Sequence, residues 1–140
     1  MALMRRVVLD TSAYSHLRLG HEALLARLDA ASEIILPTIV LGELHAAFRG
    51  GARFLDNETV LERFLTEPFV STVDVDSETA ARYGEVHAQL KKKGTPIASN
   101  DVWIAAVTLA QGAHLISFDD DFRHVAGLSW TLFKPAPSRR

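Results

Sequence analysis

The chain has 140 residues, of which 48% are hydrophobic and 23% charged, with a formal net charge of −2 at pH 7 and no cysteine. This length and composition predict one soluble globular domain with its own core. The lack of cysteine excludes disulfides, thiolate metal sites and thiol nucleophiles, and the slight negative charge argues against a protein that coats nucleic acid. No apolar run approaches the ~18 residues of a membrane span, and the N-terminus makes a poor signal peptide. We therefore expect a cytoplasmic protein that does not bind to a membrane.

The first half of the chain alternates short apolar runs with helical patterns. The run RVVL, which ends at Asp10, predicts a buried strand, and HEALLARLDAAS predicts a helix. EIILP predicts a second strand that Pro37 ends. A helix is then expected from Thr38, as its N-cap, to the glycines at 50 and 51, followed by another through NETVLERFLTE.

The second half continues the alternation. FVSTVDVD predicts a strand, and a long amphipathic helix follows from a Ser77 cap to Gly94. SNDVWIAAVTLAQG predicts a helix, and AHLIS and SWTLF predict the last strands. Strands alternating with helices predict an α/β fold, with a central, mainly parallel sheet of about four to five strands flanked by helices. We expect a single domain over residues 1–134 and a flexible C-terminal tail over 135–140.

Four acidic residues stand where parallel sheets bind ligands, at the carboxyl ends of the strands. Asp10 and Asp119 follow predicted strands, while Asp101 and Glu43 lie near the starts of predicted helices. Taken alone, each has an ordinary alternative role in a turn or a helix cap. Taken together, the four carboxylates would repel one another, so the set favours a bound divalent cation. Oxygen-only ligands suit Mg²⁺ or Mn²⁺, for which phosphodiester hydrolysis is the natural chemistry.

The segments VVLDTSAY, GEL, SNDVWIAA and ISFDDDF, in this order, closely resemble the PIN-domain nucleases, and among them the VapC-type ribonuclease toxins. The likeness extends from Arg6 to about Phe133 and implies a PIN-like α/β/α sandwich. It implies that Mg²⁺ or Mn²⁺ is held, directly or through water, by four acids, namely Asp10, Glu43, Asp101 and Asp119. Asp121 is a further candidate acid, and the polar residues expected to orient the carboxylates are Thr11, Ser12, Asn100 and Ser117. Phe118 departs from the family, which usually has a basic or polar residue there, so a substrate contact at this position is left open.

The resemblance also implies an activity and partners. The expected activity is an endoribonuclease in which a metal-activated water attacks phosphorus in line, Asp101 or Glu43 accepts a proton, and the products carry 5′-phosphate and 3′-hydroxyl ends. Such a toxin would inhibit translation or growth, and we expect a VapB-like antitoxin that covers the acidic site. Arg49, Arg53 and the run Lys91–Lys93 are candidates for phosphate contacts, and for the lysines the alternative is a solvated helix end. The apolar residues of ETVLERFL either contribute to a homodimer interface or pack on the core of their own chain.

Two other classes of function compete with this interpretation. A noncatalytic RNA- or protein-binding module of the same fold would keep the sheet without cutting RNA. A phospho-accepting receiver domain also gathers acids around Mg²⁺, but it would need an adjacent acidic pair after the first strand, where Leu9 and Thr11 flank Asp10.

Overall fold

A computed structural model describes residues 4–137. Within them the strands are β1 Arg6–Leu9, β2 Glu33–Pro37, β3 Val70–Val73, β4 His114–Ser117 and β5 Trp130–Leu132. The α-helices are α1 Thr11–Arg18, α2 Glu22–Asp29, α3 Thr38–Arg49, α4 Phe54–Leu65, α5 Ser77–Lys93 and α6 Ser99–Gln111. A 3-10 turn, Asp120–His124, follows β4.

The five strands form one parallel sheet in the order β3-β2-β1-β4-β5, flanked by the six helices. This confirms the predicted α/β/α architecture. The chain adds β2 and β3 on one side of β1 and then crosses over to place β4 and β5 on the other side. The order of the strands therefore reverses between β1 and β4, which is where open α/β sheets bind their ligands.

The core consists of the central strands and the helix faces that cover them. Val7, Val8 and Leu9 of β1 are fully buried, as expected for a parallel strand covered on both faces. From β4, Leu115 and Ile116 are equally buried. These apolar runs explain why the strand positions could be predicted.

The helix starts differ from the sequence prediction in several places. Residues 11–18 form α1, where only a turn was expected; Asp10 caps this helix through its side chain. The N-cap of α3 is Pro37 instead of Thr38, and the N-cap of α5 is Asp76 instead of Ser77. Asp76 stands immediately before α5, and its carboxylate accepts the Thr79 N–H at 2.9 Å, which is the usual contact of an N-cap residue. Gly94 ends α5 in the left-handed conformation, with φ +74°, as expected.

The ends of the chain are described in part. The backbone carbonyl of Lys134 lies 2.8 Å from Nε2 of His21, so this segment is held against the start of α2. The expected flexible tail begins at residue 135, and its residues 138–140 lie outside the described part of the chain. In residues 4–137, no helix is long and apolar enough to cross a membrane.

Truncation of the core is expected to weaken the fold strongly. Ile35 of β2 is fully buried, so Ile35→Ala should lower the free energy of unfolding by about 2–5 kcal/mol through lost burial and a cavity. Leu25 of α2 is 41% exposed, and Leu25→Ala should cost less than about 1 kcal/mol. Urea unfolding followed by circular dichroism measures both, and equal losses would contradict the assigned core.

Candidate metal centre

The acidic residues singled out from the sequence lie at the carboxyl edge of the sheet. Asp10 directly follows β1, and Asp119 lies two residues after the end of the neighbouring β4. Asp101 is in the first turn of α6, and Glu43 lies in the first half of α3, which follows β2. Because β2, β1 and β4 are adjacent parallel strands, their carboxyl ends bring these side chains to one edge.

Asp10 is the most buried of these acids, with 4% of its surface exposed. Its Oδ1 accepts hydrogen bonds from the Ser12 hydroxyl at 2.7 Å and the Ala13 N–H at 2.8 Å. Its Oδ2 accepts a bond from the Ser117 hydroxyl at the end of β4, at 2.5 Å. These donors compensate for much of the lost hydration of the carboxylate. Since two carboxylate oxygens offer about four acceptor positions, Asp10 keeps the capacity to meet a cation.

Glu43 is held by α1. The Thr11 hydroxyl donates to Oε1 of Glu43 at 2.7 Å, which leaves Oε2 without a donor among residues 4–137. The face of α3 that Glu43 shares with Ala46 and Ala47 is open, because both alanines are exposed. These small side chains leave room beside the carboxylate, and their surface is open to solvent.

Asp101, Asp119 and Asp121 form the tightest acidic group among the described residues. One carboxylate oxygen from each lies within 4.8 Å of those from the other two. The 3-10 turn after β4 sets this arrangement: the Asp119 carboxylate accepts the Asp121 N–H at 2.9 Å, and the buried Phe122 anchors the turn in the core. Asp121 was only a further candidate acid in the sequence, yet it belongs to this group. Its spacing of two residues from Asp119 was the available signal.

The electrostatics of the acidic edge are unfavourable without a cation. Burial, together with the negative charges of Asp119, Asp10, Glu43 and Asp121, raises the pKa of Asp101 to about 7, and burial is the largest cause. Burial also raises the pKa of Asp10, although hydrogen bonds from Ser117 and Ser12 act in the opposite direction. The other four acids therefore all repel the charged form of Asp101. A divalent cation would relieve this repulsion.

The residues present fit Mg²⁺ or Mn²⁺. Every candidate ligand at this edge is a carboxylate oxygen, which is the donor type that these hard cations prefer. Asp101, Asp119 and Asp121 are close enough to share an ion, while Asp10 and Glu43 lie outside that tight group. The structure thus divides the acids into a close trio and two carboxylates that hydroxyl groups position beside it.

The other residues singled out from the sequence have different surroundings. Ser12, Ser117 and Thr11 bond to the acids as described, but Asn100 is exposed and, within residues 4–137, its side chain bonds to none of the carboxylates. Arg49 lies over the Phe54 ring at 4.8 Å, and Arg53 pairs with Asp56 at 3.5 Å. Both arginines are exposed, and these contacts tie them to α4.

The segment ETVLERFL of α4 packs mainly on its own chain. Leu61 is buried, and Phe64 and Leu65 are partly buried against the core. The alternative of packing on the core of the same chain therefore accounts for these three residues. Leu55, near the start of α4, is 75% exposed and is available to contact a partner.

Comparison with known proteins gives a consistent result. The profile of the PIN domain matches residues 7–128, which is most of the chain. The chain belongs to the PIN-domain family. It is 30% identical over 125 residues to Ribonuclease VapC5 of Mycobacterium tuberculosis, with 86% of this chain and 87% of that protein covered. Its identity to Ribonuclease VapC1 of Haemophilus influenzae strain R2866 is 27%, covering 88% of this chain and 94% of that protein.

Solved structures show the same fold. The structure of VapBC2 from Rickettsia felis bound to a promoter DNA fragment matches with a TM-score of 0.83 and 22% identity, over 92% of this chain and 99% of that chain. The structure of VapBC-1 from nontypeable Haemophilus influenzae matches with a TM-score of 0.80 and 23% identity, over 91% and 97%. The expected family and fold are thus confirmed.

The raised pKa of Asp101 predicts a pH-dependent stability difference. The folded state holds this proton up to about pH 7, whereas the ordinary pKa is 3.8, so the wild type should lose stability as the pH rises between these values. The variant Asp101→Asn should not show this loss of stability, because asparagine carries no titratable proton. Because the side chain is partly exposed and water screens the repulsion, the variant should gain about 1–2 kcal/mol over the wild type between pH 4 and pH 8 in EDTA.

Urea unfolding at both pH values measures this gain. Asp29→Asn, an exposed carboxylate at the end of α2 on the opposite edge of the sheet, serves as the matched control and should show a much smaller change. A gain that is the same at pH 4 and pH 8 would contradict the repulsion among the acids.

Proposed function

We propose that the protein is a metal-dependent endoribonuclease of the VapC type, which hydrolyses RNA phosphodiester bonds to leave 5′-phosphate and 3′-hydroxyl ends. The observation that carries the proposal is the convergence of four other carboxylates on Asp101 at the edge between β1 and β4. Membership of the PIN-domain family and the similarity to VapC ribonucleases support RNA as the substrate. Inhibition of translation or growth would follow, because cleavage destroys the intact RNA.

In this proposal the close trio of Asp101, Asp119 and Asp121 holds Mg²⁺ or Mn²⁺. When bound, the cation activates water and neutralises charge on the phosphate. Asp10 contributes a carboxylate whose direction is fixed by Ser12 and Ser117. Glu43, with one oxygen held by Thr11 and the other without a donor among residues 4–137, would accept a proton from the attacking water. Asp101 is the second candidate for that proton, because its carboxylate lies at the same acidic edge.

The proposal also covers the partners and the location of the protein. Structures of relatives such as VapBC2 and VapBC-1 are described as VapBC assemblies, which supports a VapB-like antitoxin for this chain. Such a partner would cover the acidic edge with a cationic side chain that replaces the metal charge. We further propose a homodimer, to which the exposed Leu55 is available, and a cytoplasmic location, because the proposed substrate is found there.

The direct test is RNA cleavage with added metal. Purified protein mixed with single-stranded RNA and Mn²⁺ should release fragments with 5′-phosphate ends, and EDTA should stop the reaction. Asp101→Asn removes one charge of the trio and should lower the rate by at least about 100-fold, while Asp29→Asn should retain the wild-type rate. RNA that is bound but never cut by the wild type would favour the noncatalytic binding module instead.

A second prediction concerns the hydroxyl that positions Glu43. Thr11→Val keeps the shape of the side chain but removes the 2.7 Å hydrogen bond to Oε1. The rate of RNA cleavage should fall by about 10- to 100-fold, as for other groups that orient metal-site carboxylates. Thr59→Val is the matched control, because Thr59 is an exposed residue of α4 whose hydroxyl bonds only within its own helix. If Thr11→Val and Thr59→Val cut RNA at equal rates, the positioning of Glu43 by Thr11 plays no part in the mechanism.

A further inference from the structure

A cleft of about 710 Å³ lies beside the acidic edge, and the reaction described above does not use it. His16 of α1 and His21 and Glu22 at the start of α2 form one side, and Lys134 and the segment 135–137 form the other. We call it the His16 cleft. Its volume falls in the range of about 300–1,000 Å³ that is typical of small-molecule and cofactor sites.

Aromatic rings are concentrated at this cleft. The His16 ring stacks on Phe118, with ring centroids 3.8 Å apart and planes 9° from parallel. His21 and Phe133 meet the same Phe118 ring at 5.1 Å and 5.9 Å. Phe118 is therefore enclosed by other rings and supports His16 from behind. The residue that departs from the family pattern serves to fix the plane of an imidazole that lines the cleft.

The His16 cleft is joined to the acidic edge through short contacts. Phe118 stands between Ser117, which bonds to Asp10, and Asp119 of the close trio. The backbone N–H of Phe118 donates to the Ser12 hydroxyl at 3.0 Å. Nδ1 of His16 lies 2.9 Å from the Ser12 carbonyl, to which it donates. A ligand stacked on His16 would consequently lie next to the residues that hold Asp10.

The polar groups of the cleft suit the edge of a nucleobase and a phosphate. Because Nδ1 of neutral His16 carries the proton, its Nε2 is an acceptor. Glu22 adds a carboxylate acceptor and Lys134 adds a cation, in contrast to the uniformly negative acidic edge. His21 is committed elsewhere: it accepts the Leu24 N–H at 3.2 Å and bonds to the Lys134 carbonyl, which holds the two sides of the cleft together.

We propose that the His16 cleft binds one unstacked base of single-stranded RNA beside the cutting site, stacked on the imidazole of His16, with Lys134 near the phosphate of that nucleotide. This inference rests on the proposed ribonuclease function and names the element that selects its substrate. Proteins recognise single-stranded RNA largely by stacking splayed bases on aromatic and imidazole planes. Continuity with the acidic edge favours RNA over a peptide as the occupant.

The test uses the full chain with Asp101→Asn, so that RNA stays intact in the presence of Mg²⁺. A short single-stranded RNA carrying the fluorescent base 2-aminopurine should lose fluorescence on binding, because stacking quenches this base. Adding His16→Gln, which keeps a donor for the Ser12 carbonyl but removes the ring, should abolish the quenching and weaken binding roughly 5- to 100-fold. His87→Gln changes an exposed histidine of α5 outside the cleft and should match the parent protein.

A second variant avoids any effect on folding. Lys134 is exposed, and Lys134→Ala should weaken binding and reduce the slope of log affinity against log salt concentration by about one, with the quenching retained. If His16→Gln has the same affinity and the same quenching as its parent, the proposal is overturned. An unchanged salt slope in Lys134→Ala would overturn the phosphate contact.

The outcomes separate this inference from the ribonuclease proposal. His16-dependent quenching by a protein whose wild type cuts no RNA with Mn²⁺ would support the cleft and reject the nuclease. Metal-dependent cutting by the wild type, together with quenching that does not depend on His16, would support the nuclease and reject the cleft. When both hold, sequencing the cut ends of a randomised RNA pool should show a base preference next to the cut that His16→Gln removes.

Discussion

The hydrogen bonds to the buried Asp10 carboxylate connect the fold to the candidate metal centre. One oxygen starts α1 by accepting the Ala13 N–H, and the other accepts the Ser117 hydroxyl from β4. The parallel pairing of Leu9 with Ile116 places these groups beside each other. A carboxylate this deeply buried would destabilise the protein without such donors. Strand pairing, helix capping and the position of the acidic edge therefore depend on one another.

The acids at the edge are stabilised in two different ways. Hydroxyl and amide groups of the protein hold Asp10 and Glu43, so these carboxylates have fixed positions before any ligand arrives. Asp101, Asp119 and Asp121 lie within 4.8 Å of one another, and the structure opposes their shared charge only weakly. The molecule thus sacrifices some stability at the trio, which is the usual consequence of assembling like charges for function.

Much of the fold and part of the site followed from the sequence, because both depend on local patterns. Apolar runs such as RVVL and HLIS mark buried parallel strands, and Asp10 and Asp119 follow these two strands within two residues. Helix α1 could not be predicted in the same way, since four of residues 11–15 are Thr, Ser or Tyr, which are weak helix formers, and the capping by Asp10 decides the outcome. The contact between Thr11 and Glu43 and the stacking of His16 on Phe118 join distant segments, and only tertiary packing determines them.

The segment after β5 has a practical consequence for work with this protein. The Lys134 carbonyl is anchored to His21, and residues 135–137 line the cleft beside the acidic edge. A purification tag attached just after Pro137 would therefore lie close to this opening. Strand β1 starts at the opposite edge of the sheet, near Met4. A tag attached before Met4 would enter on the side of the sheet away from the acids.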